Sequence, residues 1–486
     1  MIKVKMNPKE GGRLHLDGRT FDPRIQYSVG SKVKVKIVPV GDFQFTGWTG
    51  DVPEGHKADV PLEMTVTDKD QELVANFAIG VEHAQELCFD SDFDNGNGIL
   101  RYNYRNSRGI CVEPEQIKGA SNIWWHFKLG GITPDEFLLI LPLHSSIEAE
   151  AWASDCHPVY SYDGVTWHRF TGERPPYIQR FTEPSVEIAR NIPYPYGKSL
   201  ALASEVKGDC VNVLDLTTSE EGRAVKTFRF TDPGVPDNSK RVIWFTARTH
   251  AFESHGSWVA EGFIRWLLGD HPLAAELRRR TLTYITPIMD VDNVYNGGAG
   301  KEQLGPDGER TDFGRRWDDD TPWAAVRASK KLLLELDKHH EIAAMLDVHN
   351  PWYPIESHFN TNPEDAKEVQ AFEDMFIKYV EELGSGARYK SWVQVRGGRP
   401  DDVTIKDPSL AAMGGVRNRE PTHGMIGRKE WAQKSLSLPE HHLSFGIEIS
   451  HWYDGYGNFI TADTLLVYGA AFGCALANWL AGLDKP

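Results

Sequence analysis

Three apolar runs of strand length, each ending at a polar residue, constrain this chain more than any other feature. Val242-Ile243-Trp244-Phe245-Thr246-Ala247 is followed by His250 and Glu253. Ile342-Ala343-Ala344-Met345-Leu346-Asp347-Val348 closes on His349, and Leu443-Ser444-Phe445-Gly446-Ile447 ends at Glu448. From about residue 191 such runs alternate with helical patterns, which argues for a largely parallel α/β sheet. In an open α/β sheet, ligands bind outside the carboxyl ends of the strands. Two imidazoles and one carboxylate make a catalytic zinc set that leaves one coordination position for water. His250 and Glu253 are three residues apart, so one turn after a strand aims both side chains at one point. His349 must then arrive from a neighbouring strand, and Glu448 supplies a carboxylate that no metal ligand requires.

Helical spacing over about 256–268 places Trp258, Val259, Phe263, Trp266 and Leu267 on one face. A second helix is predicted to begin at Pro322, after Asp320 and Thr321, and to carry Leu332, Leu333 and Leu336. Two more are predicted over about 363–383, stopped by Gly384, and over about 463–481. Before residue 190 helical periods are few. Residues 81–190 read as a β-sandwich, with the clearest runs at 124–129 and 137–143, and residues 1–80 as a small all-β module of short alternating strands. The expected protein is therefore multidomain: a small all-β module over 1–80, a β-sandwich over 81–190, and an α/β domain over 191–486 with a mostly parallel mixed sheet flanked by helices.

A formal net charge of −16 argues against a protein that lives on nucleic-acid phosphates. Cys88, Cys111, Cys156, Cys210 and Cys474 show no CxxC spacing, so neither a zinc ribbon nor a dense disulfide framework is expected. No stretch is expected to reach the apolar length of about 20 residues that spans a bilayer. Met1-Ile2-Lys3-Val4-Lys5 lacks the apolar core of a signal peptide. The run Gly297-Gly298-Ala299-Gly300-Lys301 opens no helix with a GKS/T or GxGxxG pattern, which removes a phosphate loop. His255, His339, His340, His441 and His442 read as surface or loop residues.

The segment from Thr249 to Phe263 resembles the first zinc motif of the M14 zinc carboxypeptidases, in the branch that includes the cytosolic carboxypeptidases. Asp347-Val348-His349 is similar to their second motif, and the segment from Ser444 to Ser450 to their catalytic-glutamate strand. Residues 124–127 and 158–163, with Trp167, resemble the β-sandwich that precedes the catalytic domain in that branch. The resemblance implies one Zn2+ per chain on His250, Glu253 and His349. It also implies that Glu448 serves as base and then acid while the C-terminal peptide bond of a peptide or protein is hydrolysed. Asp312, in Thr311-Asp312-Phe313-Gly314-Arg315-Arg316-Trp317, matches the family's DxNRxW pattern and is implied to accept the remaining ring N–H of His250. Arg315 occupies the position that grips the substrate's terminal carboxylate.

Two departures accompany that match. Gly314 stands where the family usually has Asn, and the loop from Asp292 to Asp312 lacks the arginine that polarises the scissile carbonyl. Lys301 is the expected replacement, with Gln303 as a neutral donor in its place. Arg417, Arg419, Arg428 and Lys429 read as surface charge, a basic pocket for acidic side chains being the other reading. Gly314 keeps open a zinc amidase or deacylase acting on an acylated amino acid or modified peptide. Both departures together keep open a degenerate surface binding protein.

Phe45-Thr46-Gly47-Trp48-Thr49-Gly50-Asp51, with 64–67 and 75–77, resembles the divergent internalin-type B-repeat of bacterial extracellular proteins. That implies a spacer or attachment module over 1–80 and an extracellular or periplasmic location, with the cytoplasm as the alternative. The expected partners are peptide or protein substrates, without nucleic acid and without a membrane span.

Overall fold

The computed structural model describes residues 2–16, 19–20, 27–40, 43–79, 86–104, 108–119, 122–143, 157–172, 175–301, 303–318, 320–351, 356–361, 365–384, 386–395 and 427–483. These fall into two compact units, one of residues 1–115 and 122–191, the other of 116–121 and 192–486.

The first unit is a β-rich region. In Lys32–Pro39 the alternating valines and isoleucine, Val33, Val35 and Ile37, are fully buried while the lysines between them face outward. That period of two makes a half-buried sheet surface. Trp48 is buried beside Phe45, with ring centroids 5.4 Å apart, and donates its indole N–H to the Asp59 carbonyl at 2.8 Å. The sheets built from residues 2–79 share no strand with those built from 88–189. Ile178 nevertheless belongs to the apolar core around Trp48, with Phe137 and Leu139 packed against it. Shared apolar surface thus joins the two groups of sheets in one unit.

Among the described residues, the main sheet of the second unit has eight strands: β1 (Val211–Thr218), β2 (Ala224–Phe230), β3 (Arg241–Ala247), β4 (Thr281–Thr286), β5 (Ile342–His349), β6 (Ser357–Thr361), β7 (Ser391–Val395) and β8 (Leu443–Glu448). They form one mixed sheet in the order β1-β2-β4-β3-β5-β8-β6-β7. The centre, β4-β3-β5-β8, is parallel throughout. β3, β5 and β8 are the apolar runs of the sequence, suited to strands covered on both faces, and β4 is buried throughout although three of its six residues are threonine. Register then aligns their ends: Ala247 lies opposite Val348, and His349 opposite Glu448.

Six helices of this unit bear on the site or on the packing around it: α1 (Ser254–Leu268), α2 (Val291–Tyr295), α3 (Ala324–Asp337), α4 (Ala366–Leu383), α5 (Arg428–Ser435) and α6 (Ala462–Leu483). α3 begins two residues later than Pro322 suggests, because its first N–H is capped by the Glu220 carboxylate at 2.6 Å, a partner about a hundred residues away. α6 corrects a second expectation. It is long and apolar enough to cross a membrane, yet 67% of its most apolar window is buried inside the unit. It packs on α1 and α4, and Phe472 meets Phe376 and Phe245 at ring-centroid distances of 4.5 and 5.9 Å. Its apolar length is that of a helix mostly covered by protein.

Candidate metal centre and active site

The first two donors hang on the turn that follows β3. Arg248 adopts a left-handed backbone at φ 59, a conformation that bulky side chains rarely take. Its buried guanidinium donates to the carbonyls of Ala251 at 2.6 Å and Tyr194 at 3.1 Å, which ties the turn down and offsets the strain. Just beyond, a Cβ at position 256 would stand 2.8 Å from the Val348 carbonyl. Glycine there lets α1 begin against the end of β5.

His250 Nδ1 lies 2.8 Å from Glu253 Oε1, and His349 Nδ1 lies 2.8 Å from Glu253 Oε2. The other ring nitrogens face outward, His250 Nε2 at 3.0 Å from Asp312 Oδ1 and His349 Nε2 at 3.0 Å from Asp347 Oδ2. An Nε2–H donated to a carboxylate leaves the Nδ1 lone pair pointing at the centre. Both rings therefore present the same atom inward, although one rides on a turn and the other on a strand. The three donor groups lie within 4.8 Å of one another. That span suits an ion bonded to each at about 2.0–2.2 Å, so the residues fit zinc.

Asp347 carries a role that the motif match does not assign. Residues i and i+2 of a strand share a face, so Asp-x-His at the end of an apolar run already places this carboxylate beside His349. It accepts from Thr246 Oγ1 at 2.9 Å and Thr249 Oγ1 at 3.3 Å, and Arg428 Nε stands 4.0 Å away. Arg428 is thus buried behind a ligand's partner, where surface charge was expected. Lys429 is also inside, 2.8 Å from Asp365 and donating to the Ser444 carbonyl at 3.1 Å. Both cations are used up holding α5 to the sheet. Arg417 and Arg419 lie outside the described residues. His255 corrects another expectation: it is fully buried in the first turn of α1, with Nδ1 3.1 Å from the Ser450 carbonyl. His339 and His441 are exposed as expected, and His340 and His442 half-buried.

Burial pushes the Glu448 carboxyl up to about 7, with the Glu253 charge adding to the rise while His349 and Lys301 oppose it. Its Oε2 is shielded from solvent without a hydrogen-bond partner among the described residues. Burial pulls His349 down, but Asp347 and Glu253 outweigh it and hold the ring well above its ordinary value. His250 is raised by the same balance, with Glu253 and Asp312 opposing burial. Burial alone would raise Glu253 and Asp312, yet the adjacent imidazoles hold both below the usual carboxylate range. Four carboxylates around two imidazoles make a centre that holds positive charge, as protons or as a cation.

The loop side is looser. The Lys301 charge acts on His250, Asp312 and Glu448 alike, so it lies within electrostatic reach of the centre. Gln303, the other candidate donor, is fully buried and committed elsewhere: its Nε2 donates to Asp290 Oδ2 at 3.1 Å and its Oε1 accepts from Asn293. Asp312 also accepts from the Gly314 N–H at 2.8 Å. A Cβ on residue 314 would meet Thr249 at 3.2 Å and Asp312 at 3.3 Å, tight contacts that glycine avoids. Arg315 is 64% exposed, its Nε 3.6 Å from Asp312 Oδ2.

A zinc carboxypeptidase family model matches residues 198–331. Cytosolic carboxypeptidase 6 of Mus musculus is 22% identical over 290 residues, covering 54% of this chain and 53% of its own length. Cytosolic carboxypeptidase 2 of Danio rerio is 30% identical, covering 54% of this chain and 41% of its own. The chain thus spans about half the length of the curated relatives it matches. Among solved structures, a metallo-carboxypeptidase from Burkholderia cenocepacia superposes with a TM-score of 0.62 at 18% identity, covering 82% of this chain and 100% of that one. A metallo-carboxypeptidase from Pseudomonas aeruginosa, in complex with (2-guanidinoethylmercapto)succinic acid, gives 0.62 at 21%, again with 82% and 100% covered. The chain is thus similar to the M14 zinc carboxypeptidases over residues 198–331 and is like their cytosolic carboxypeptidase branch.

Proposed function

We propose that the second unit hydrolyses the C-terminal peptide bond of peptides or proteins. The observation that carries this reading is the inward turn of both Nδ1 atoms towards Glu253, with Glu448 in register beside His349. One zinc ion per chain, held by His250, Glu253 and His349, would supply a Lewis acid for water and carbonyl. Glu448, poised near neutrality, takes the proton of the attacking water and returns it to the departing amine nitrogen. Asp312 and Asp347 hold the two imidazoles in the tautomer a metal needs. Lys301 faces the oxygen on which negative charge develops. Arg315 offers its planar fork to the terminal carboxylate from an exposed position.

The relatives do not favour the amidase or deacylase alternative, and an intact donor set with its general base speaks against a degenerate binding protein. For location we take the cytoplasmic alternative, in keeping with relatives named as cytosolic; the extracellular expectation finds no support in them. Attachment through residues 1–80, and their likeness to an internalin-type repeat, receive no support either. We keep a small β module over 1–80 and a β-sandwich over 81–190, packed within one unit through the core around Trp48, as the proposed division; the solved neighbours cover a larger share of the chain than the second unit accounts for. Hydrolysis of a free-carboxylate peptide, compared with its C-terminal amide by the zinc-loaded protein, tests the function. We expect the amide to be cleaved far more slowly, and equal rates would remove the exopeptidase.

A further inference from the structure

We propose that Asp290, Asn293 and Gln303 form a buried clamp that sets the position of Lys301, making Asp290 a positioning residue for the proposed hydrolysis, on which this inference rests. Lys301 follows a glycine-rich stretch, and glycines give a chain the most backbone freedom to lose. A cation that must face one oxygen needs that freedom removed. The clamp sits at both ends of the lysine. On one side Gly300, at φ 73, passes directly over Asp290, where a Cβ would stand 2.8 Å from Asp290 Oδ2 and 2.6 Å from the Ala251 nitrogen. On the other side Gln303 donates to Asp290 Oδ2 at 3.1 Å and to the Gly300 carbonyl at 3.4 Å.

Asn293 closes the network, its amide donating to both Asp290 oxygens at 3.0 and 2.8 Å and to Gln303 Oε1. All three side chains are at most 3% exposed. The base of the clamp is fixed to the metal-bearing turn, because Asp290 N donates to the Arg248 carbonyl at 3.2 Å and Met289 N to that of Ala247 at 3.1 Å. Its far end reaches the other loop residue of the site: Gln303 pairs with Thr311, and the next residue is Asp312, the partner of His250. Asp312 keeps its own anchors in His250 and the Gly314 N–H, so the buried carboxylate of Asp290 registers Lys301 against β3. Capping α2 through the Asn293 N–H at 3.3 Å needs no such reach.

The test is a cycle of Asp290→Asn and Lys301→Met in the zinc-loaded full chain. Asp290→Asn keeps the shape of the residue but leaves two amide donors facing an amide. We expect kcat to fall about 10²-fold, the scale of a misplacement near 1 Å, with KM and zinc content unchanged. In the Lys301→Met background the same change is expected to cost nothing further, and adding Gln303→Glu to Asp290→Asn to restore part of the rate. A second readout needs no turnover: acetylation of Lys301 by an N-hydroxysuccinimide ester, followed by peptide mass mapping, is expected to change several-fold in Asp290→Asn while exposed Lys338 stays constant. Should Asp290→Asn fold poorly, Gln303→Met is expected to give the same labelling change. Unchanged Lys301 labelling, or an equal loss of rate in the Lys301→Met background, would overturn the clamp. If the wild type cleaves no peptide, the function fails while the labelling still decides the clamp.

Discussion

The strand side and the loop side of the centre are held by different physics. His349 and Glu448 stand opposite each other in a parallel ladder, and Asp347 precedes His349 on the same face of the same strand. Their spacing is set by backbone hydrogen bonds that any well-packed apolar sequence would form. Lys301, Asp312 and Arg315 instead come from a loop whose course depends on glycines and on a buried side-chain network. Both departures from the family pattern, Gly314 and Lys301, lie on the loop side. Geometry that a sheet enforces resists substitution, whereas a loop can exchange one donor for another and keep its chemistry.

This contrast is sharpened most by removing the general base. Glu448→Gln is expected to lower kcat about 10²–10⁴-fold, the usual range for a positioned acid–base group, with bound zinc unchanged by elemental analysis. Lys301→Met should cost less, and a larger loss there would invert the ranking of the two sides. The next effect is on the metal. Asp347→Asn and Asp312→Asn should each weaken zinc binding roughly 10–100-fold, read by competition with a chelator. If Asp347→Asn left affinity unchanged, the strand side would not owe its order to that carboxylate.

The smallest effect is on stability against pH. His250 and His349 are raised in the metal-free centre, so the stability they contribute is complete below their unfolded value and lost as pH rises through the folded ones. Glu448, raised to about 7, and Asp290, raised to about 6 by burial, lose stability in the same direction above the ordinary carboxylate range. The melting temperature of the metal-free protein is therefore expected to fall between about pH 5 and 8. Zinc-loaded protein should gain over the same window, because metal and protons compete for the two Nδ1 atoms. Parallel curves with and without metal would show that these groups do not face one another.

The placement of the candidate donors and of the proposed general base was legible because each follows or ends an apolar run, and such runs in this setting become strands of a parallel sheet. Asp347 was equally legible by its spacing from His349. His255, Arg428 and Lys429 were misjudged for one reason: polarity was read as exposure. His255 is buried against the Ser450 carbonyl, nearly two hundred residues away, and Arg428 against Asp347, about eighty away. No local pattern announces partners at that distance. α6 departs in the opposite direction: its apolar length exceeds what was expected of any stretch, and most of it is buried by packing that sequence does not show.

Sequence alone determined which candidate donor residues come together and at which strand ends, because apolar periodicity fixes strands and parallel sheets gather their carboxyl ends. Only tertiary structure decided which nitrogen of each imidazole faces inward, which cations are buried behind the centre, and how a glycine-rich loop brings Lys301 to it. Those outcomes depend on hydrogen bonds between residues far apart in the chain, and such bonds exist only once the sheet has set its register.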